Sequence, residues 1–262
     1  MWAASSRPGD DPMRLVVAGK GGAGKSVVAG TLARILARRG QPVLAIDSDP
    51  MPGLSVSLGM GLLIEPPLED ACERDENGRW RLKKGIGPAR AVRRFSIPGP
   101  DGVRLLHFGK AGSQGLSPLM GSLNALYQVV HRLAAERVLR DWTIVGDVPA
   151  GPRHAAFDWF PYAKTVLVVV EPTWQSVLTA RRIGRISSSR RGVVSLFVGN
   201  KVQSDGEQGR LEERLGAPLY ALLPLDRAVA DSDRLGVASL DHDPGSPFVG
   251  AVERLAARLR RR

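Results

Sequence analysis

The sequence predicts an α/β fold in which helices cover both faces of a doubly wound, mostly parallel sheet. Short apolar runs alternate with segments of helical period along the chain, as in strand–helix–strand units. The runs TVLVVV and TIVGD are continuously apolar, as expected for parallel strands buried on both faces. The predicted strands cover residues 14–18, 43–47, 103–108, 142–147, 165–170, 193–200 and 219–223.

Helices are predicted between and after these strands. Gly40 and Pro42 end the first one, because glycine favours a helix terminus and proline cannot continue a helix. The predicted helices cover residues 25–39, 118–140, 174–187, 207–215 and 248–261.

Residues 65–100 interrupt this alternation and are interpreted as an insertion. They contain an acidic stretch, EDACERDENG, a basic stretch, RWRLKKGIGPARAVRR, and a turn rich in proline and glycine. A hairpin is predicted around Asn77–Gly78, since Asn-Gly favours a tight turn. With no repeat or long linker, residues 13–262 are expected to form one domain after a disordered tail over residues 1–12.

Composition narrows the class of protein. The chain has 262 residues, is 43% hydrophobic, and carries a formal net charge of +11, which attracts phosphate-bearing partners. This hydrophobic content excludes an intrinsically disordered chain. Cys72 is the single cysteine, so no internal disulfide can form and a cytoplasmic location is expected. No apolar stretch approaches the roughly 18 residues of a membrane span, so no transmembrane segment is predicted.

Residues 19–26, GKGGAGKS, match the phosphate-loop pattern between a predicted strand and a predicted helix. Glycines allow successive backbone N–H groups to surround an anionic oxygen, and the helix N-terminus adds partial positive charge. Lys25 is expected to reach the β and γ phosphates and Ser26 to hold Mg²⁺. The residues predicted to contact nucleotide here are Gly19, Gly21, Gly22, Ala23, Gly24, Lys25, Ser26 and Val27.

A second lysine, Lys20, follows the first glycine of the loop. With Lys25, it makes the sequence resemble the deviant Walker A (SIMIBI) class of P-loop ATPases, which includes MinD, ParA, the nitrogenase iron protein and CooC. In that class the extra lysine contacts the nucleotide of the partner subunit. The resemblance therefore implies ATP-dependent homodimerisation and assigns the contact across the dimer to Lys20.

Two segments resemble the switch regions of the class. LAIDSDP matches the first switch and IVGDVPAG the second. The resemblance implies that Asp49 positions the attacking water, that Asp47 and Asp147 support Mg²⁺, and that Gly151 senses the γ phosphate. The carboxyl ends of parallel strands are also where phosphates and Mg²⁺ are expected to bind. Lys20, Lys25 and Asp49 are thus the predicted catalytic residues, and ATP and Mg²⁺ the predicted ligands.

The base-binding residues are predicted from two later segments. VGNKV resembles the class segment whose asparagine hydrogen-bonds adenine, which assigns Asn200 and the adjacent Lys201 to the nucleotide. Position 203 is Gln, so the guanine-reading N-K-x-D pattern is absent and ATP is favoured over GTP. In LLPLDRAVADSDRLG, the resemblance places Pro224 and Asp226 beside adenine, and Asp226 could alternatively cap the next helix.

Within the class, the segments LAIDSDP, DVPAGPRH, VVVEPTWQSVLTARRI and VGNKV most resemble those of the CooC ATPases, which assist nickel insertion into carbon monoxide dehydrogenase. This implies an accessory or maturation ATPase with a protein client, a metalloenzyme being one candidate. The chain lacks the Cys-x-Cys pair of that branch, since the corresponding segment is GKAGSQGLSPLM, and Arg153 replaces the acid of its G-x-E-H motif. Cys72, His107 and His154 are interpreted as structural residues. Both departures favour a different client or task.

A ParA- or MinD-like partition or positioning ATPase is the alternative function, because basic clusters could hold DNA through phosphate contacts. An arginine-rich solvated surface is the simpler interpretation of the same residues. The final helix could likewise lie on a membrane, although packing on the sheet is favoured. A regulator that binds nucleotide without hydrolysis is disfavoured by Lys20 and Asp49. The clusters comprise Arg79, Arg81, Lys83, Lys84, Arg90, Arg93 and Arg94; Arg181, Arg182, Arg185, Arg190 and Arg191; and Arg254, Arg258, Arg260, Arg261 and Arg262.

Overall fold

A computed structural model describes residues 12–51, 53–109, 116–133 and 135–262, so nearly all of the predicted tail lies outside it. The strands in the described part are β1 (Arg14–Gly19), β2 (Val43–Asp47), β3 (Cys72–Arg74), β4 (Trp80–Leu82), β5 (Ile97–Pro98), β6 (Arg104–His107), β7 (Thr143–Asp147), β8 (Thr165–Val170), β9 (Val194–Val202) and β10 (Ala221–Pro224). The α-helices there are α1 (Lys25–Arg38), α2 (Gly53–Ser57), α3 (Pro88–Phe95), α4 (Leu116–Leu133), α5 (Arg153–Ala156), α6 (Trp174–Ser188), α7 (Asp205–Leu215), α8 (Arg227–Leu235), α9 (Ser239–His242) and α10 (Pro247–Arg260).

One sheet organises the molecule, and it confirms the predicted fold class. Its eight strands run in the order β10-β9-β8-β1-β7-β2-β6-β5. Neighbouring strands are parallel except β5, which pairs antiparallel with β6 at the edge. β7, β2, β6 and β5 lie on one side of β1 in this order, and β8, β9 and β10 lie on the other. The strand order therefore reverses at β1, and ligands in such folds bind at the carboxyl ends of the strands at this point.

Helices cover both faces because successive strand residues point to opposite sides. In β1, Val16 belongs to the apolar cluster formed with α4 and α6, whereas Leu15 and Val17 belong to the cluster formed with α1 and α10. All three are buried. The phosphate-loop strand is therefore held from both sides.

Residues 65–100 contain the predicted hairpin and, besides a three-residue 3₁₀ helix, two elements that the sequence did not reveal. β3 and β4 pair antiparallel, and the Asp75 carboxylate accepts hydrogen bonds from the backbone N–H groups of Asn77 and Arg79 in the turn. The unpredicted elements are α3, which contacts α4, and β5, which joins the edge of the main sheet.

The final helix packs within the fold. The apolar side chains Phe248, Val252, Leu255 and Leu259 are all buried, and α10 contacts α1 and β10. This confirms the packing interpretation and leaves that face unavailable to a membrane. Across the described ranges, no helix has the length and apolarity needed to cross a bilayer.

Element ends and short helices account for the differences from prediction. α4 ends at Leu133, whereas the prediction placed its end at residue 140. Hydrogen-bonded turns take the place of the last predicted residues, and in one of them the side chain of Glu136 accepts a hydrogen bond from the N–H of Val138. α2, α5 and α9 were not predicted, and α8 was expected only as the helix that Asp226 could cap. α2, α5 and α9 have four or five residues and carry too few turns for a clear helical period.

Candidate functional site

The phosphate loop joins β1 to α1 through two glycines in the left-handed region. Gly22 has φ +77° and Gly24 has φ +90°. Gly24 immediately precedes α1, whose first N–H groups lack partners within the helix and are available to an anion. A Cβ on Gly24 would lie 2.4 Å from Nδ2 of Asn200, so glycine is required here by both conformation and space.

A cavity of about 650 Å³ extends from this loop to α8. That volume lies within the usual range of small-molecule sites. The predicted contacts Gly22, Gly24, Lys25, Ser26, Val27, Asn200, Lys201, Pro224 and Asp226 all line it. Gly19, Gly21 and Ala23 lie in the same loop, and Ala23 is buried beneath it.

Two acidic residues predicted from separate motifs lie on adjacent strands. Asp47 of β2 is in register with Asp147 of β7, and both are buried. Burial and, to a smaller extent, the Asp47 charge raise the pKa of Asp147 to about 7, although the nearby Ser26 hydroxyl opposes the rise. Neither carboxylate oxygen of Asp147 has a protein hydrogen bond of standard geometry. The cluster therefore fits a divalent cation, which prefers oxygen ligands and would neutralise these charges.

The first switch segment begins at this cluster. The backbone N–H of Asp49 donates to Oδ1 of Asp47 at 2.9 Å, and Oδ1 of Asp49 accepts from the N–H of Met51 at 2.9 Å. The segment then leads into α2, where a Cβ on Gly53 would lie 2.6 Å from Oγ of Ser26. Glycine at position 53 thus allows the switch to approach the phosphate loop closely.

The second switch segment contacts the phosphate loop from the other side. The N–H of Gly151, at φ +89°, donates to the carbonyl of Gly19 at 2.9 Å. Burial lowers the pKa of His154 in this segment, and the Asp49 carboxylate partly opposes that shift, so His154 and Asp49 interact across the two switches. The switches therefore meet beside the loop.

The residues predicted to bind the base line the other side of the cavity. Nδ2 of Asn200 donates to the carbonyl of Ala23 at 2.8 Å, which ties β9 to the phosphate loop. Asp226 caps α8: one carboxylate oxygen accepts from the N–H of Ala228 and the other from the N–H of Phe248. Its side chain is therefore used to shape the cavity wall, as in the capping alternative.

The family model for the CobQ/CobB/MinD/ParA nucleotide-binding domain matches residues 15–240. The chain belongs to this family. An uncharacterised ATP-binding protein of Methanocaldococcus jannaschii is 27% identical over 241 residues, covering 86% of this chain and 90% of that protein. The carbon monoxide dehydrogenase accessory protein CooC of Rhodospirillum rubrum is 26% identical over 247 residues, covering 88% and 91%. These matches confirm the resemblance inferred from the motifs.

Solved structures show the same family fold. The septum site-determining protein MinD of Pyrococcus horikoshii, solved with Mg-ADP, superposes with a TM-score of 0.70 at 21% identity and 95% coverage of both chains. MinD of Pyrococcus furiosus superposes with a TM-score of 0.69 at 22% identity, with 95% and 98% coverage.

Sequence reasoning missed Glu171, which lies directly after β8 beside the family's phosphate loop. Its carboxylate is within 3.4 Å of Nζ of Lys20 and 3.2 Å of Nζ of Lys201. The available signal was the one that identified Asp47 and Asp147, an acidic residue at the carboxyl end of a buried parallel strand. Lys201 itself has φ +59°, a strained backbone for a non-glycine residue.

Cys72, His107 and His154 lie in three different elements, β3, β6 and α5. Cys72 is buried at the start of β3, where Sγ donates to the carbonyl of Glu69 and burial raises the pKa of the thiol. Over the parts of the chain described, no three His, Cys, Asp or Glu side chains form a metal-binding group. Residues 110–115 lie outside the described residues, and they are half of the segment GKAGSQGLSPLM that corresponds to the cysteine pair of CooC.

Proposed function

We propose that this protein is a Mg²⁺-dependent ATPase that closes into a homodimer on binding ATP and opens on hydrolysis, coupling this cycle to a protein client. The observation that carries the proposal is the meeting of the phosphate loop, Asp47, Asp49 and Asp147 at one sheet edge, with Lys20 at its margin. The Lys20 side chain is 32% exposed there.

Residues of the loop and the acidic cluster would bind the triphosphate. Lys25 and the free N–H groups at the start of α1 would contact phosphate oxygens. Ser26, Asp47 and Asp147 would hold Mg²⁺, mostly through water. When bound, Mg²⁺ supplies positive charge that neutralises the phosphates.

Hydrolysis requires a water molecule placed in line with the γ phosphate. Asp49 would orient this water at the junction of the two switches. The water oxygen would bond to the γ phosphorus while the bond to the bridging oxygen of ADP breaks, releasing ADP and phosphate. Lys20 of one subunit would contact the nucleotide of the other, so that catalysis requires the closed dimer.

The amide of Asn200 supports adenine as the base. Since Nδ2 donates to Ala23, Oδ1 is the atom left to face a ligand. An amide oxygen accepts hydrogen bonds, so it complements the amino group at position 6 of adenine and opposes the carbonyl oxygen of guanine. This supports ATP as the nucleotide.

The client is proposed to be a protein complex, because of the similarity to CooC. A metalloenzyme remains a candidate, although the cysteine pair of that branch is absent. Arg153 begins α5 in the second switch, the segment expected to transmit the nucleotide state to the client. A basic residue in place of an acidic one therefore favours a client that differs from that of CooC.

ATP hydrolysis and sedimentation of the Asp49→Ala and Lys20→Ala variants test the cycle. Asp49→Ala is expected to dimerise with ATP and Mg²⁺ while hydrolysing it at least about tenfold more slowly, the lower range for loss of a positioned catalytic group. Lys20→Ala is expected to bind nucleotide and remain monomeric. Normal turnover in the first variant or normal dimers in the second would contradict the assigned roles.

Client capture then separates the two candidate functions. Asp49→Ala in ATP and Mg²⁺ serves as bait, and Lys20→Ala is the non-dimerising control. Recovery of one defined protein complex only with Asp49→Ala supports the accessory role. Failure of both variants to recover such a complex, with nuclease-sensitive DNA recovered instead, would contradict it.

A DNA-holding partition ATPase is the second candidate, favoured by the exposed arginines of α6. Arg181, Arg182 and Arg185 are all solvent-exposed on this helix. If they bind phosphates, DNA affinity should fall steeply with salt, and replacing all three with Ala should reduce that salt dependence. A Lys83→Ala/Lys84→Ala variant in the insertion provides a control at a separate exposed basic site.

A further inference from the structure

Glu171 forms a two-sided ion pair at the phosphate loop. Its Oε1 atom lies 3.4 Å from Nζ of Lys20, and its Oε2 atom lies 3.2 Å from Nζ of Lys201. Nζ of Lys201 also donates to the carbonyl of Gly22 at 2.7 Å. One carboxylate thus links lysines from β9 and from the loop.

The backbone of Glu171 is held in place by the N-terminus of α6. The N–H of Glu171 donates to Oγ of Ser176 at 3.1 Å, and its carbonyl accepts from the N–H of Thr173 at 2.6 Å. Thr173 in turn caps α6 by accepting from the N–H of Ser176. The Glu171 side chain is only 12% exposed, so it is a more fixed partner than Lys20, at 32%.

The ion pair between Lys20 and Glu171 competes with the contact across the dimer that is proposed for Lys20. The inference rests on that proposed function. A lysine ammonium that contacts Glu171 in its own subunit must leave that carboxylate to reach the nucleotide of a second subunit. We propose that Glu171 is a positioning residue that retains Lys20 in its own subunit and thereby sets the ATP concentration at which the homodimer forms. The phosphates of the partner's nucleotide are the stronger attraction and displace the carboxylate.

The Glu171→Gln variant tests this role while preserving side-chain size. The ATP concentration for half-maximal dimerisation, measured by sedimentation or light scattering, is expected to fall about threefold to tenfold, between the effects of an exposed ion pair and a buried charged hydrogen bond. Glu213→Gln is the matched control, since Glu213 is exposed on α7 and the change in net charge is the same.

Two further measurements separate retention of Lys20 from other effects. An ADP titration of the monomer measures how much the removal of a negative charge near the phosphates strengthens nucleotide binding in general. The ATP concentration for half-maximal dimerisation must fall by a larger factor than the Kd for ADP. The second measurement follows the labelling of lysines by an amine-reactive ester in the absence of nucleotide, with mass spectrometry as the readout. Lys20 should be labelled about twofold to fivefold faster in Glu171→Gln, because a partly exposed ion pair is lost. Exposed Lys84 is the internal reference.

The outcomes distinguish this inference from the proposed function. Unchanged Lys20 labelling, or an unchanged or raised ATP threshold in Glu171→Gln, would overturn the role of Glu171 even if the wild type dimerises normally. A wild type that stays monomeric at saturating ATP would overturn the dimer cycle, and the threshold with it. If Glu171→Gln does not fold, Glu171→Asp, whose carboxylate is one methylene shorter, is expected to lower the threshold by a smaller factor.

Discussion

Replacing Gly24 with alanine should damage the phosphate loop more than the same change at Gly22. Both glycines are left-handed, at φ +90° and +77°, so alanine at either position carries a backbone cost of about 1–2 kcal/mol. A Cβ at position 22 meets nothing within 4 Å, whereas at position 24 it would lie 2.4 Å from Nδ2 of Asn200. Gly22→Ala is therefore the control for backbone strain.

The additional effect at Gly24 follows from the contact distance. Cβ contacts below 3.0 Å are essentially never observed, and a Cβ at position 24 would lie 2.4 Å from Nδ2 of Asn200, so Asn200 and the loop must move apart by about 0.6 Å. This would break the hydrogen bond from Asn200 to Ala23 and add about 1 kcal/mol to the loss of unfolding free energy. The displaced loop should also lose about one charge-assisted contact to phosphate, which raises the nucleotide Kd about tenfold.

Two measurements check this expectation. Urea unfolding in a chelator gives the free energies of unfolding of the wild type and both variants, and a fluorescent-nucleotide titration gives Kd. Gly24→Ala should be less stable than Gly22→Ala by about 1 kcal/mol and bind nucleotide more weakly. Equal stability and equal Kd in the two variants would refute the argument that Asn200 contacts the loop at this point.

Two other substitutions test buried charges. Burial and Asp47 raise the pKa of Asp147 from 3.8 to about 7, so in chelator the folded state loses stability as the pH rises from about 4 to 7 and carries the full cost above pH 7. Asp147→Asn should therefore raise the unfolding free energy in chelator by about 2–4 kcal/mol at pH 8. The gain in unfolding free energy should shrink as the pH falls from 7 towards 4, and Mg²⁺-dependent nucleotide binding should be lost. An Asp147→Asn variant no more stable than the wild type at pH 8 would contradict this cost of burying the ionised carboxylate. Arg34 of α1 has a side chain that is only 3% exposed, and it forms ion pairs with Asp101 and Asp241. Arg34→Met should lower the unfolding free energy by about 2–3 kcal/mol. This is less than for a fully buried pair because Asp241 stays partly solvated. Arg38→Met, which removes a 43% exposed partner of Asp101, should cost under about 1 kcal/mol, and similar losses in the two would contradict the burial argument.

Much of the central sheet could be predicted from local pattern. The strands at 43–47 and 165–170 have the predicted bounds, because each is a continuous apolar run that is buried in the parallel sheet. The phosphate loop was equally recognisable, since its glycines, lysine and serine occur in one short segment. The hairpin at Asn77–Gly78 followed from turn chemistry.

Other features depended on packing rather than on pattern. β5 has two residues and exists because it pairs with β6, and no period can be recognised over that length. α4 ended early because turns stabilised by local hydrogen bonds replaced its last predicted residues. Asp226 was predicted beside adenine or, alternatively, as the cap of the next helix. Its carboxylate caps α8, whereas its bond to the N–H of Phe248 joins residues 22 positions apart and depended on packing.

The fold class, the phosphate loop and the family could be predicted from the sequence, because each is recognised from patterns within short segments of the chain. Which distant residues meet depends on the tertiary structure. Asp47 and Asp147 are neighbours because β2 and β7 pair in register, and Glu171 meets Lys20 and Lys201 because β8 lies between β1 and β9. Strand order arises from packing of the whole chain, so the partners of a charge at a strand end cannot be read from its local sequence.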